Sequence, residues 1–196
     1  MALGASALAV VVVVGPVAAQ GHQEYDVDTS AKNEVRFTSS AQVLTFDGVT
    51  NRIDGYVLLS GRRLRAGSDS AGTRLHLEVD LGSLDTGVGM RNRHMRDDYL
   101  EVKKYPYAVY TGVIERVEAT DSGAYRVTAA GTMEIHGVKK RMEVPCEVTE
   151  AGPGYRAHCL FHVRLPDFRI EIPKLMFLKL SDDIALDVAF TAAPAG

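Results

Sequence analysis

The chain is short of most features that would announce a function. Its 196 residues include only two cysteines, so at most one internal disulfide can form. Lysine and arginine total 22 against 25 acidic residues, a net charge of −3, and no basic run exceeds three residues. That balance excludes a nucleic-acid partner held by charge. After residue 19 no apolar segment is long enough to cross a membrane as a helix. No repeat, low-complexity stretch or linker divides residues 20–196, which suit one domain with a sizeable core. Ser60-Gly61 and Ser181-Asp182 lack the strand–turn–helix setting of a nucleophile elbow, and no paired carboxylates mark a cleft, so no catalytic residue is assigned. His158 and His162 share a strand face but stand about 13 Å apart, too far for one metal ion.

Charge is also absent from residues 1–19, where Ala9 to Val14 is purely aliphatic. Val17-Ala18-Ala19 then offers the small side chains that a signal peptidase reads, with cleavage before Gln20. This predicts a signal peptide over 1–19, although the basic start of such peptides is missing. The alternative is a membrane anchor, which Gly4, Gly15, Pro16 and several alanines make weakly hydrophobic. The residue directly after the cleavage point is Gln20 and not a cysteine, so no site for acylation is expected. The predicted location is the periplasm or outside the cell.

What is present is alternation. Arg141 to Val148 and Tyr155 to Val163 flank Ala151-Gly152-Pro153-Gly154, a strong turn signal. Folding about Gly152 and Pro153 sets Val148 opposite Ala157 and Cys146 opposite Cys159, which predicts a disulfide and an oxidising compartment. Val35, Phe37 and Ser39 alternate with Arg36 and Thr38; Leu75, Leu77, Val79 and Leu81 with His76, Glu78 and Asp80; Ile184, Leu186, Val188 and Phe190 with Asp183, Ala185, Asp187 and Ala189. Further strands are expected near 24–28, 54–62, 107–117 and 124–135, with turns at Asp47-Gly48, 66–69 and 121–123. About eight to ten such strands suggest a sandwich or a closed up-and-down barrel. Only 82–106 breaks the pattern. Good helix formers over Met90 to Tyr99, and Asp97 as a cap for a second turn, predict one or two short helices there.

That interrupted segment carries Ser83-Leu84-Asp85-Thr86, then Arg91-Asn92-Arg93-His94-Met95-Arg96, then Asp98-Tyr99-Leu100-Glu101-Val102-Lys103-Lys104-Tyr105-Pro106. Gly131 to Lys140 and Leu165-Pro166-Asp167-Phe168-Arg169-Ile170 follow, with Leu180-Ser181-Asp182-Asp183-Ile184 before the last strand. In order and spacing these runs resemble the YceI-like family of secreted lipid-binding proteins, over roughly Tyr25 to Thr191. Asn92 stands where that family commonly has Asp, and Leu100 where it often has Phe. The resemblance implies an all-β fold: an extended antiparallel lipocalin-like barrel with one or two short helices in the 82–106 connection. It also implies an interior that holds a polyisoprenoid or a quinone-like molecule, with no other cofactor and no metal.

The inward faces are aliphatic and aromatic, as such a guest requires. The lumen candidates are Phe37, Phe46, Tyr56, Leu77, Val79, Tyr110, Val144, Phe161, Val163, Phe168, Phe177, Leu186 and Phe190. His94, Arg91 and Arg96 are candidates for contact with a polar head group, against the plainer reading of a solvated surface balanced by Asp97, Asp98 and Glu101. The partner expected is a long-chain isoprenoid lipid. Transient contact with a membrane and a homodimer remain open. The competing reading is a structural or partner-binding β-domain whose interior is filled by its own side chains.

Overall fold

Strict apolar–polar alternation becomes sheet almost everywhere in the computed structural model. It describes residues 21–41, 44–67, 72–175 and 178–196, with backbone only for 174–175 and 178–179. The predicted leader over 1–19 and the lumen candidate Phe177 lie outside the described residues. The strands are β1 (His22–Val27), β2 (Glu34–Ala41), β3 (Leu44–Thr50), β4 (Ile53–Ser60), β5 (Arg74–Asp80), β6 (Tyr107–Ala119), β7 (Tyr125–Ile135), β8 (Val138–Ala151) and β9 (Gly154–Arg164). The short β10 (Lys174–Leu175) and β11 (Leu178–Lys179) pair with each other, and β12 (Asp183–Pro194) is last. Among the described residues the pairings between these strands are antiparallel, in the order β1-β4-β5-β6-β7-β8-β9-β12, and β12 returns to β1 to close an eight-stranded barrel.

β12 has two partners along its outer edge. Ala185 to Ala189 pair with β2, and Ala192 to Pro194 pair with β1. The hairpin β2–β3 therefore completes one end of the wall and β1–β4 the other. At the first end β3 is joined to the chain after β5 by a two-way backbone bridge, Val49 N–H to Asp85 O and Asp85 N–H to Val49 O, each 2.9 Å.

The predicted hairpin has the register read from sequence. Ala151 opposes Gly154, Val148 opposes Ala157, and Cys146 and Cys159 are joined as a disulfide with Cα atoms 4.1 Å apart. Two expectations are corrected. Asp47-Gly48 is not a turn but the middle of β3. Gly48 lies directly opposite Phe37, and a Cβ there would overlap the Phe37 ring, so the glycine marks a close approach rather than a bend. On the outer face the Asp47 carboxylate accepts hydrogen bonds from Thr38 and Arg36, which hold it below the usual carboxylate range. Second, Asp97 caps nothing. Helix α1 (Gly89–His94) runs without a break into a wider π turn over Met95–Tyr99, and Asp97 sits inside that turn.

Gly48→Ala should push the Phe37 ring out of place and cost about 1–3 kcal/mol, the usual penalty of overpacking. The check is a lowered urea midpoint at unchanged slope.

Candidate functional site: a half-filled lumen

The two ends of the barrel interior differ. At the β1–β4 end the interior is occupied by the protein itself. Tyr25 and Tyr155 meet edge to face with ring centroids 5.2 Å apart. The Tyr25 hydroxyl donates to Arg62 O (2.8 Å), and Leu64 N–H donates to the Tyr155 oxygen (3.0 Å). Leu59, Leu75, Ile114, Val117 and Val127 complete this packed half. The interior expected to hold a guest is thus filled by side chains at this end.

The other half is a cavity of about 480 Å³. Phe37, Phe46, Leu77, Val79, Tyr110, Val144, Phe161, Val163, Phe168, Leu186 and Phe190 border it. Tyr56 does not. It opposes His76 on the outside of the β4–β5 pair and stacks on that ring at 5.9 Å, because Gly55 and Val57 hold the inward positions. Sequence reasoning missed Ile53, Met133, Ile135, Ile184 and Val188, all of which line the wall. Ile184 and Val188 were visible as inward positions by alternation with Asp183 and Asp187; Ile53 lies one residue before the predicted strand.

Among the described lining residues only Ser39, Arg91, His94, Tyr99 and Tyr110 bring a polar side-chain atom, and no carboxylate is included. Tyr110 lies where cavity meets core. Its hydroxyl sits 3.0 Å from Ala129 O and 3.1 Å from Met142 O, sharing one proton between them. Burial pushes this phenol up to about 12. Its oxygen is committed to the wall, which leaves the ring as an apolar floor.

Three connections form the rim, and the motifs read from sequence are their scaffolding. Ser83 donates to Asp80 O (2.6 Å) and its hydroxyl meets that of Thr50. Asn92 accepts from Thr86 N–H (2.8 Å) and Thr86 Oγ1 (2.6 Å) while its amide donates to Asp85 (2.6 Å). Aspartate at 92 could only accept, and would face the Asp85 carboxylate without a proton between them. His136 and Gly137, with φ of 53° and 71°, make the β7–β8 turn, and a Cβ on Gly137 would strike the Tyr105 ring. The His136 ring lies 4.7 Å from Tyr105, 3.4 Å from a Glu101 oxygen and 3.3 Å from Phe168 O, so it joins all three connections.

The rim is where the cavity meets solvent. Val88 and Met90 border the cavity and are 47% and 70% exposed. Arg91 and His94 also border it. Arg91 spans the rim: it donates to Thr86 Oγ1 (2.9 Å) and Thr86 O (2.7 Å), and its guanidinium stands 4.2 Å from the centre of the Phe46 ring. Arg96 is not a rim residue. It turns under the 82–87 segment to donate to Leu84 O and does not border the cavity. His158 and His162 face outward, each bound to an aspartate across the strand, Asp187 (2.8 Å) and Asp183 (2.7 Å).

A family model described as a YceI-like domain matches residues 25–192. A UPF0312 protein of Vibrio campbellii is 29% identical over 108 residues, which cover 53% of this chain and 55% of that one. A Vibrio vulnificus UPF0312 protein is 28% identical over 109 residues. The chain thus spans about half the length of the curated relatives it matches. In fold it is similar to Burkholderia cenocepacia BcnA, with a TM-score of 0.69 and 19% identity over 86% of this chain and all of that one. A polyisoprenoid binding domain from Saccharophagus degradans, implicated in plant cell wall breakdown, has the same TM-score and identity over 87% of this chain and 98% of that one.

The raised Tyr110 value has a consequence for stability. An acid whose folded pKa lies above its unfolded one favours the fold below the unfolded value and loses that contribution as pH rises toward the folded one. Unfolding free energy should therefore fall by roughly 2–3 kcal/mol between about pH 10 and 12. Tyr110→Phe should remove most of that slope. Urea unfolding across this pH range, with the tyrosinate absorbance followed in parallel, provides the check.

Proposed function

The chain belongs to the YceI-like family, and from that membership and its apolar half-lumen we propose an exported carrier of a long isoprenoid-type lipid, polyprenyl or quinone-like. The observation that carries this reading is the cavity of about 480 Å³, whose described lining is aliphatic and aromatic apart from a few rim and floor groups. Its size falls within the roughly 300–1,000 Å³ of ordinary ligand sites. Each buried methylene contributes about 0.8 kcal/mol, so an apolar tail gains strongly on entering without a single polar contact. Such a protein works by sequestration or carriage between membranes. No reaction is required, and no cofactor other than the lipid itself.

The likeness to a domain that binds a polyisoprenoid supports the ligand class. The Cys146–Cys159 disulfide supports an oxidising compartment, and so the export expected from residues 1–19. We assign the tail to the wall formed by Leu77, Val79, Phe161, Leu186 and their neighbours. A polar head would sit at the rim beside Arg91 and His94. A filled structural domain is the second reading, and the packed Tyr25–Tyr155 half favours it. The carrier reading needs only the other half.

Native mass spectrometry of the protein from its own host, followed by solvent extraction, tests both readings. The carrier reading expects a bound long-chain lipid; protein at bare mass, with nothing extractable, would sink it. Leu186→Arg places an unpaired charge in the apolar wall and should lower the co-purifying lipid by more than about tenfold. Tyr56→Arg, on the outside, should leave lipid content unchanged with the same circular dichroism.

A further inference from the structure

Among the described residues, one stretch of the barrel wall lacks strand pairing. The β7–β8 ladder runs from Tyr125↔Val148 to Ile135↔Val138, and the β9–β12 ladder from Ala192↔Tyr155 to Asp183↔Arg164. Between them, β8 and β9 pair only from Ala151↔Gly154 to Cys146↔Cys159. Among the described residues, β8 before Cys146 and β9 after Cys159 have no mutual register.

The reason lies at the next rung. A Cα separation of 4.1 Å marks Cys146–Cys159 as a narrow, non-hydrogen-bonded pair. The pair that follows, Pro145 with Leu160, would therefore need the N–H of residue 145 to point at β9. Proline has none. The β7–β8 ladder passes Thr128↔Pro145 undisturbed, because that nitrogen points away from β7. On β9 the unpaired edge, Leu160 to Arg164, runs about 16 Å at ~3.3 Å per residue. At the rim the edges meet again where His136 contacts Phe168 O.

The disulfide therefore sits on the last rung of a lateral seam. The seam gives onto the cavity: Val144, Cys159 and Phe161 all border it. Phe161 and Met142, although they occupy inward positions, are only half-buried, and Leu160 is 57% exposed. We propose that Cys146–Cys159 is a redox latch on this seam, and that its reduction opens a side route by which apolar cargo leaves the lumen. The proposal rests on the carrier reading above. In the chemical step a dithiol attacks one sulfur, and the S–S bond breaks to give a mixed disulfide. The second thiol of the reductant then displaces the remaining cysteine. The protein gains two electrons and two protons as two thiols, and the reductant becomes a disulfide. Cys146 is the less buried residue of the pair, Cys159 being 5% exposed, and is assigned as the one attacked.

The test uses the full chain loaded with cis-parinaric acid, a fluorescent apolar chain. Release into an excess of acceptor vesicles should be about tenfold faster after dithiothreitol treatment, equivalent to about 1.4 kcal/mol off the barrier. The double variant Cys146→Ser/Cys159→Ser should match the reduced protein, and serves where the native disulfide resists the reagent. If the double variant does not fold, the reduced wild type carries the comparison. Pro145→Ala restores a donor at the next rung and should slow release in the oxidised protein. Amide hydrogen exchange should accelerate along 138–145 and 160–164 and stay unchanged in β5 and β6. Release rates within about twofold of each other, or exchange that rises equally around the barrel, would overturn the latch. Failure of the oxidised protein to take up the probe would instead count against the carrier reading, and the hydrogen-exchange arm would still decide whether the seam opens.

Discussion

The architecture depends on how one strand divides its edge. A closed sheet must pair the edges that would otherwise be left open where its first and last strands meet. β12 does so with β2 along its first half and β1 along its second. At the β1 end closure is a continuous ladder, and β1 and β4 bring Tyr25 and Leu59 into contact with Tyr155 and Leu64 to fill the interior. At the β2 end closure passes through a hairpin, a single bridge at Val49–Asp85 and side-chain contacts such as Arg91 over Phe46. Side chains that would otherwise cross the axis are spread around a wider wall, and the cavity follows from that geometry.

Much of this was legible because strand pairing obeys simple counting. The Gly152-Pro153 turn and the two cysteines determine one another's register, and the alternation in β2, β5 and β12 assigns their inward faces without further information. Counting fails where both faces are apolar. In β4 the run Tyr56-Val57-Leu58-Leu59 offers no contrast, and only the pairing of Tyr56 with His76 reveals that the tyrosine points outward. It fails again at Asp47-Gly48, where the residues of a turn serve other ends: a carboxylate for Arg36 and Thr38, and a bare Cα beneath Phe37. A propensity records what a residue tolerates. The tertiary contact decides which tolerance is used.

The same limit explains the rim. Arg91, Arg96 and His94 form one basic cluster in sequence, yet they part company in space. A turn of helix separates Arg91, at the cavity edge, from Arg96, whose guanidinium is drawn beneath the chain to the Leu84 carbonyl. Which arginine borders the cavity depends on the carbonyl each one binds, Thr86 O for Arg91 and Leu84 O for Arg96, and no local pattern encodes that choice. Likewise Pro145 is unremarkable in sequence until the 4.1 Å cysteine pair beside it sets the phase of the ladder.

An apolar wall of this kind selects by length and girth rather than by chemical detail. Burial is worth about 0.8 kcal/mol per methylene whatever the chain's identity, so discrimination must come from where the chain stops. Here the cavity ends at the Tyr110 floor and the packed tyrosines beyond it. Tyr110 can serve as a floor only because its hydroxyl is already spoken for by Ala129 and Met142. An unpaired phenol at that depth would carry a desolvation cost of about 1–3 kcal/mol and would invite a polar guest. By binding its own wall the phenol removes that option. Arg91 and His94 border the cavity instead at its rim, nearer to water.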